Sequence, residues 1–192
     1  MKSLVFATNN TNKIKEVEVL LPKDFKILSL SDISCFIELP ENQNTLEGNA
    51  LEKAEFVYDN FRVNCFSEDT GLEVFALNNE PGVYSARYAG KNKDDNANME
   101  LLLSRLKDVK DRSARFRTVI ALIIDGNKLL FEGMVEGDIL YHKIGNEGFG
   151  YDPIFQPKGY DKSFAELGIS VKKNISHRTM AMRKLLDYLN AL

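Results

Sequence analysis

Four short segments of the chain gather residues whose types and spacing suit work on a charged substrate. Thr8-Asn9-Asn10-Thr11-Asn12-Lys13 is a polar stretch between an apolar run and a helical pattern. A helix start there turns backbone N–H groups and a positive dipole end outward, which suits a phosphate, and Lys13 adds a full charge. The glycines of a P-loop or a dinucleotide fingerprint are absent, so a plain capped helix start is the alternative. The second segment is Glu68-Asp69, followed by Thr70-Gly71. Adjacent carboxylates at a strand end can hold a hard cation such as magnesium, which takes oxygen ligands and bridges to phosphates. A solvated acidic turn is the alternative, and Glu41, in the loop around Pro40, is a weaker candidate ligand.

The third segment is Gly148-Phe149-Gly150-Tyr151-Asp152-Pro153. Glycines on both sides of Phe149 let backbone come close to a ligand while the ring offers a stacking face. Asp152 can accept hydrogen bonds from ring N–H groups. A tight turn around a core phenylalanine would look the same. The fourth runs from Lys172 to Lys184 and holds six cationic or protonatable residues, among them Lys172, His177 and Arg178, with no acid. Such a run at a helix start suits a polyanion, and a solvated basic face is its plain counterpart. His142 reads as structural or exposed.

These segments need elements to position them. Residues 2–7 read as a buried strand. Ile14, Val17, Leu20 and Leu21 then give helical spacing, closed by Pro22. Phe25 to Leu30 is a second strand. A helix over 45–60 starts at the N-cap Thr45 and buries Ala50, Leu51, Ala54 and Val57. Strands near 63–66 and 72–77 flank an acidic turn at Ser67–Gly71, and 78–82 is a loop. A helix spans 96–107. Strands over 114–125 and 128–139 are joined by Asp125-Gly126-Asn127, a strong hairpin signal. Residues 145–159 form a shaped loop, and a last helix over 177–190 follows Ser176. The order opens like an α/β domain, but the central hairpin excludes a purely parallel sheet. The expected fold is a mixed sheet flanked by helices, with a cleft between two lobes, in one domain over 1–192.

Bulk properties set limits on function. A chain of 192 residues can bury a large core, and 44% apolar with 28% charged residues is ordinary for a globular protein. A net charge of −3 argues against a nucleic-acid-binding surface. Cys35 and Cys65 lack metal spacing and read as buried reduced thiols. No apolar run approaches the about 20 residues of a membrane span, so a cytoplasmic protein is expected.

Taken together, the segments resemble the inosine triphosphate pyrophosphatase family over nearly the whole chain. The resemblance is carried by FATNNTNKIKEV, NTLEGNALEKA, SEDTGLEVFAL, PGVYSARYAG, GFGYDPIF, FAEL and ISHR, in the family's order and spacing. It implies an elongated mixed α/β fold, usually dimeric, and hydrolysis of ITP, dITP or XTP to a monophosphate and pyrophosphate. It implies Thr8, Asn10 and Lys13 as triphosphate contacts, within the segment Thr8 to Lys13. Glu41 and Asp69 are the implied magnesium ligands, Asp69 also the general base, with Glu68 as a possible helper. Lys53 faces the phosphates, and Thr70 stands where serine is usual. Phe149, Gly150, Tyr151 and Asp152 match the base-binding loop, and Lys172, His177 and Arg178 the remaining substrate contacts. Gly48 stands where the family usually has glutamate, and Glu68 where aspartate is common. Two readings remain beside it: a related enzyme for pyrimidine triphosphates, and a nucleotide-binding regulator without turnover.

Overall fold

The computed structural model of the chain describes residues 2–21 and 25–192, so the expected stop at Pro22 lies outside the described residues. Among the described residues seven strands form one sheet: β1 (Lys2–Phe6), β2 (Phe25–Leu28), β3 (Cys65–Val74), β4 (Glu80–Pro81), β5 (Ser113–Ile124), β6 (Asn127–Ile139) and β7 (Phe155–Pro157). The helices are α1 (Thr11–Glu18), α2 (Leu46–Phe61), α3 (Asp95–Arg105), α4 (Phe164–Ile175) and α5 (His177–Asn190). The sheet order is β2-β1-β3-β5-β6-β7, with β4 on β3. β1 pairs parallel with β2 and β3, whereas β4 on β3 and β7 on β6 are antiparallel. The sheet is therefore mixed, as the hairpin required. At that hairpin Asp125 and Gly126 both have positive φ (48° and 80°), as a two-residue type I′ turn demands. No described helix is long and apolar enough to cross a membrane.

The chain divides into two compact units. The first holds residues 1–69, 118–133 and 178–192. Its core joins Leu4, Phe6, Val17, Phe66, Ile120, Leu122 and the α5 residues Met182 and Leu185. Phe6 and Phe66 stack at 4.4 Å. The second holds residues 70–117 and 134–177, with a core of Leu72, Val74, Leu102, Phe116, Ile154, Phe155 and Phe164.

Three expectations change. No turn separates two strands at Ser67–Gly71, because β3 runs unbroken through that segment and nine of its ten residues are buried. Glu68 and Asp69 do not need the solvent of a turn, since each meets cations inside the protein. The loop expected over 145–159 contains β7, held to β6 where Gly137 approaches Gln156 so closely that a Cβ would lie 2.2 Å from its carbonyl oxygen. Helix α4 was not expected. Its start carries a capping box, in which the Ser163 hydroxyl accepts from Glu166 N–H and the Glu166 carboxylate accepts from Ser163 N–H. Gly168, at φ 67°, breaks it part-way and obscures its periodicity in the sequence.

Candidate active site

In the first unit the chemistry is built around β3, on which successive side chains face opposite sides of the sheet. Ser67 and Asp69 face α2. The Ser67 hydroxyl donates to the Ala50 carbonyl and seats helix on strand. Asn49 and Lys53 lie one helical turn apart, so both reach Asp69. Asn49 Nδ2 donates to Asp69 Oδ2 at 3.2 Å, and Lys53 Nζ to Oδ1 at 3.2 Å. The same ammonium donates to Glu41 Oε1 at 2.6 Å. Asn49 is itself fixed, since its Oδ1 accepts from the Gln43 amide at 2.9 Å. Burial alone would lower the Lys53 pKa. The Asp69 and then the Glu41 charges outweigh it, and the ammonium titrates above its ordinary value. Two carboxylates thus converge on one buried cation.

Glu68 faces the other side. Arg178, at the second residue of α5, donates from Nε at 2.8 Å and from Nη2 at 2.9 Å to its two oxygens, and from Nη1 to Glu16. Lys13 Nζ lies 3.2 Å from Glu68 Oε1. Burial pushes the Glu68 carboxyl up, but Arg178 and then Lys13 prevail and bring it down to about 2. The Lys13 ammonium is lowered, chiefly by burial. Glu68 and Asp69 therefore do not form the side-by-side pair expected from their adjacency. Three guanidinium nitrogens of Arg178 each hold a carboxylate oxygen, which fixes the side chain at the start of α5.

The helix start at Asn9 to Lys13 is exposed up to Asn12. Asn10 is the N-cap of α1, its Oδ1 accepting from Asn12 N–H at 3.0 Å and Lys13 N–H at 3.2 Å. The Thr8 hydroxyl accepts from Asn10 N–H at 3.2 Å. A phosphate oxygen taking those amides would replace the Asn10 cap. Gly48 has a local cause, since a Cβ there would lie 2.7 Å from Gln43 Cβ in the loop that α2 caps.

The second unit holds the glycine-aromatic loop. Gly148 and Gly150 both sit at positive φ, 82° and 63°. Between them, Phe149 N–H donates to Asp152 Oδ2 at 2.9 Å. Lys172 Nζ donates to the same oxygen at 2.7 Å and stands 4.9 Å from the Phe149 ring centroid. Asp152 and Lys172 are almost fully buried. Tyr151, expected among the loop's contacts, packs its ring in the core and donates its hydroxyl to the Ser85 carbonyl at 2.8 Å. The basic run is divided: Lys172 lies in the last turn of α4 and His177 opens α5, with Ser176 extended between them. His177 is buried and stacks on Phe116 at 4.7 Å. Thr70, the next residue of β3 after Asp69, is half-buried, and His142 is exposed.

The profile of the Ham1 family matches residues 4–188. The chain belongs to the Ham1 family. A Flavobacterium psychrophilum protein named dITP/XTP pyrophosphatase is 54% identical over 185 residues, 96% of this chain and 97% of that one. The structure of the Staphylococcus aureus Ham1 protein matches with a TM-score of 0.91 and 42% identity over 99% of each chain. A HAM1 protein from Coxiella burnetii matches with a TM-score of 0.92 and 35% identity over 100% of each. In this Ham1-family chain two further polar residues stand beside the expected ones, Asn49 on Asp69 and Glu16 on Arg178. Asn49 had a visible signal, a polar residue one turn before Lys53 on the buried stripe of α2. Glu16 had none, since its partner lies 162 positions away.

Proposed function

We propose that the chain hydrolyses dITP, XTP and ITP to the monophosphate and pyrophosphate, in the cytoplasm, and so clears them from the nucleotide pool. The observation that carries this reading is the buried Asp69, held on one oxygen by Asn49 and on the other by Lys53, which also holds Glu41. An aspartate aimed by two donors is a base with a fixed direction. Asp69 takes a proton from water as the water oxygen attacks the α-phosphorus. The bond to the α–β bridging oxygen breaks, and pyrophosphate leaves with the electron pair.

Glu41 and Asp69 fit magnesium, which commonly uses one or two carboxylates and completes its shell with water and substrate phosphates. When bound, the ion would offset charge on the triphosphate. Glu68, which Arg178 and Lys13 hold, is proposed as a helper to this pair rather than a main ligand. Lys13 and Lys53 supply the remaining positive charge, with Thr8, Asn9, Asn10, Thr11, Asn12 and Thr70 as further phosphate-side contacts.

Base choice we assign to the glycine-aromatic loop and the start of α5. Phe149 offers the stacking face, Asp152 accepts from a purine ring N–H, and His177 or Arg178 donates toward a 6-oxo group, with Gly150, Tyr151 and Lys172 as further substrate contacts. An adenine amino group would leave such donors facing a donor, which a buried site rejects strongly. Product analysis tests the reading. Incubation with dITP should release pyrophosphate and dIMP, with ATP and dTTP turned over at least tenfold more slowly. Release of single phosphates, or equal rates on dTTP, would overturn it.

A further inference from the structure

Helix α3 begins at Asp95, after the N-cap Asp94, whose Oδ1 accepts from Ala97 N–H at 3.0 Å. With Asp94 capping, Asp95 is not needed for that role, and its carboxylate points elsewhere. Asp95 Oδ2 accepts from the Gly150 N–H at 2.7 Å, across 55 positions of sequence. The next side chain, Tyr151, is tied by its hydroxyl to the Ser85 carbonyl, and Phe149 N–H to Asp152. Three successive residues of the glycine-aromatic loop thus have separate anchors, and the one at Gly150 is a carboxylate from a helix that carries none of the residues assigned to base binding. Asn98, on the same helix, bonds Ala89 N–H at 2.7 Å and the Ala86 carbonyl at 3.1 Å, which ties α3 to the segment carrying Ser85.

Gly150 stands in the left-handed region at φ 63°, and no atom lies within 4 Å of where its Cβ would be. Glycine puts no side chain into that space, and it gives the peptide a wide choice of conformations unless a hydrogen bond fixes it. We propose that Asp95 is a positioning residue for base recognition: its carboxylate fixes the Gly150 peptide and thereby the direction of the Phe149 ring. The claim rests on the reading of Phe149 as the stacking face. A pre-set ring binds more tightly because its ordering is not charged against the ligand.

The chain contains no tryptophan, so a Phe149→Trp variant carries a single indole at this position. Titration with inosine monophosphate, which is not hydrolysed by the proposed reaction, should quench it. Adding Asp95→Ala should weaken the apparent Kd about tenfold, the size of one charge-assisted hydrogen bond. Asp95→Asn keeps an acceptor oxygen and should restore most of the affinity. In the Phe149 background, Asp95→Ala should raise the KM for dITP by a similar factor and leave kcat within about twofold. If the indole responds but Asp95→Ala leaves Kd and KM unchanged, or Asp95→Asn behaves like Asp95→Ala, the positioning role is wrong and the stacking reading stands. If the indole does not respond to inosine monophosphate, both fall.

Discussion

Glu68 and Asp69 share a peptide bond but serve opposite faces of β3, and this divides their work. Asp69 meets a neutral amide and a lysine that it shares with Glu41. Glu68 meets Arg178 and Lys13. With its folded carboxyl at about 2 against an ordinary 4.5, Glu68 contributes stability that is complete above pH 4.5 and lost as pH falls towards 2. That contribution is on the order of 3 kcal/mol. Urea unfolding of Glu68→Gln should show about 3 kcal/mol lost at pH 7, because Arg178 stays buried without its main partner. It should also show a flatter pH dependence between 4.5 and 2 than the parent chain. Arg178→Ala separates two roles. An anchoring arginine predicts lower activity on dITP and ATP alike, whereas a base-contacting arginine predicts that the dITP preference itself collapses.

At the scale of elements, Ser163 offers a direct check on α4. Its buried hydroxyl accepts from Glu166 N–H and donates to the Ile144 carbonyl at 2.7 Å. Ser163→Ala should cost about 1–2 kcal/mol in chemical denaturation, the range of a lost helix cap with a second bond. Gly148→Ala should do more to function. Its Cβ would sit 2.1 Å from Asp152 Oδ2 at a φ of 82°, so a raised KM for dITP is expected beyond any fall in Tm. Elements whose signals are local were readable in the sequence. Thr45 caps α2, the Asp125-Gly126 turn joins β5 to β6, and α5 starts at His177. Elements whose signals are not local were missed. Two adjacent acids read as a turn because their cations come from α1, α2 and α5. Gly168 interrupts the pattern of α4, and β7 is three residues long. The site follows the same rule: Asp69 and Lys53 stand out in the sequence by residue type, whereas the partners that orient Tyr151 and Arg178, Ser85 and Glu68 with Glu16, are too distant in the chain to be read there.

Across the whole molecule, the two cores are separate groups of buried side chains, one in each unit. The cluster of Asp69, Asn49, Lys53 and Glu41 belongs to the first unit and the glycine-aromatic loop to the second. The chain crosses between the units four times, at 69/70, 117/118, 133/134 and 177/178, and residues expected to contact substrate stand at the first and the last of these. Homodimerisation, implied by the family resemblance, should appear in sedimentation as a species of twice the chain mass. A monomer at micromolar concentration would refute it. The central claim is that Asp69 is the base, working with magnesium held by Glu41 and Asp69. Its most direct test is pyrophosphate release from dITP by the parent chain and by Asp69→Asn, each with and without magnesium. The account predicts turnover only for the parent with magnesium, and a drop of at least about a hundredfold in kcat for Asp69→Asn, as expected on loss of general-base catalysis. Full activity of Asp69→Asn, or turnover that does not depend on magnesium, would contradict it.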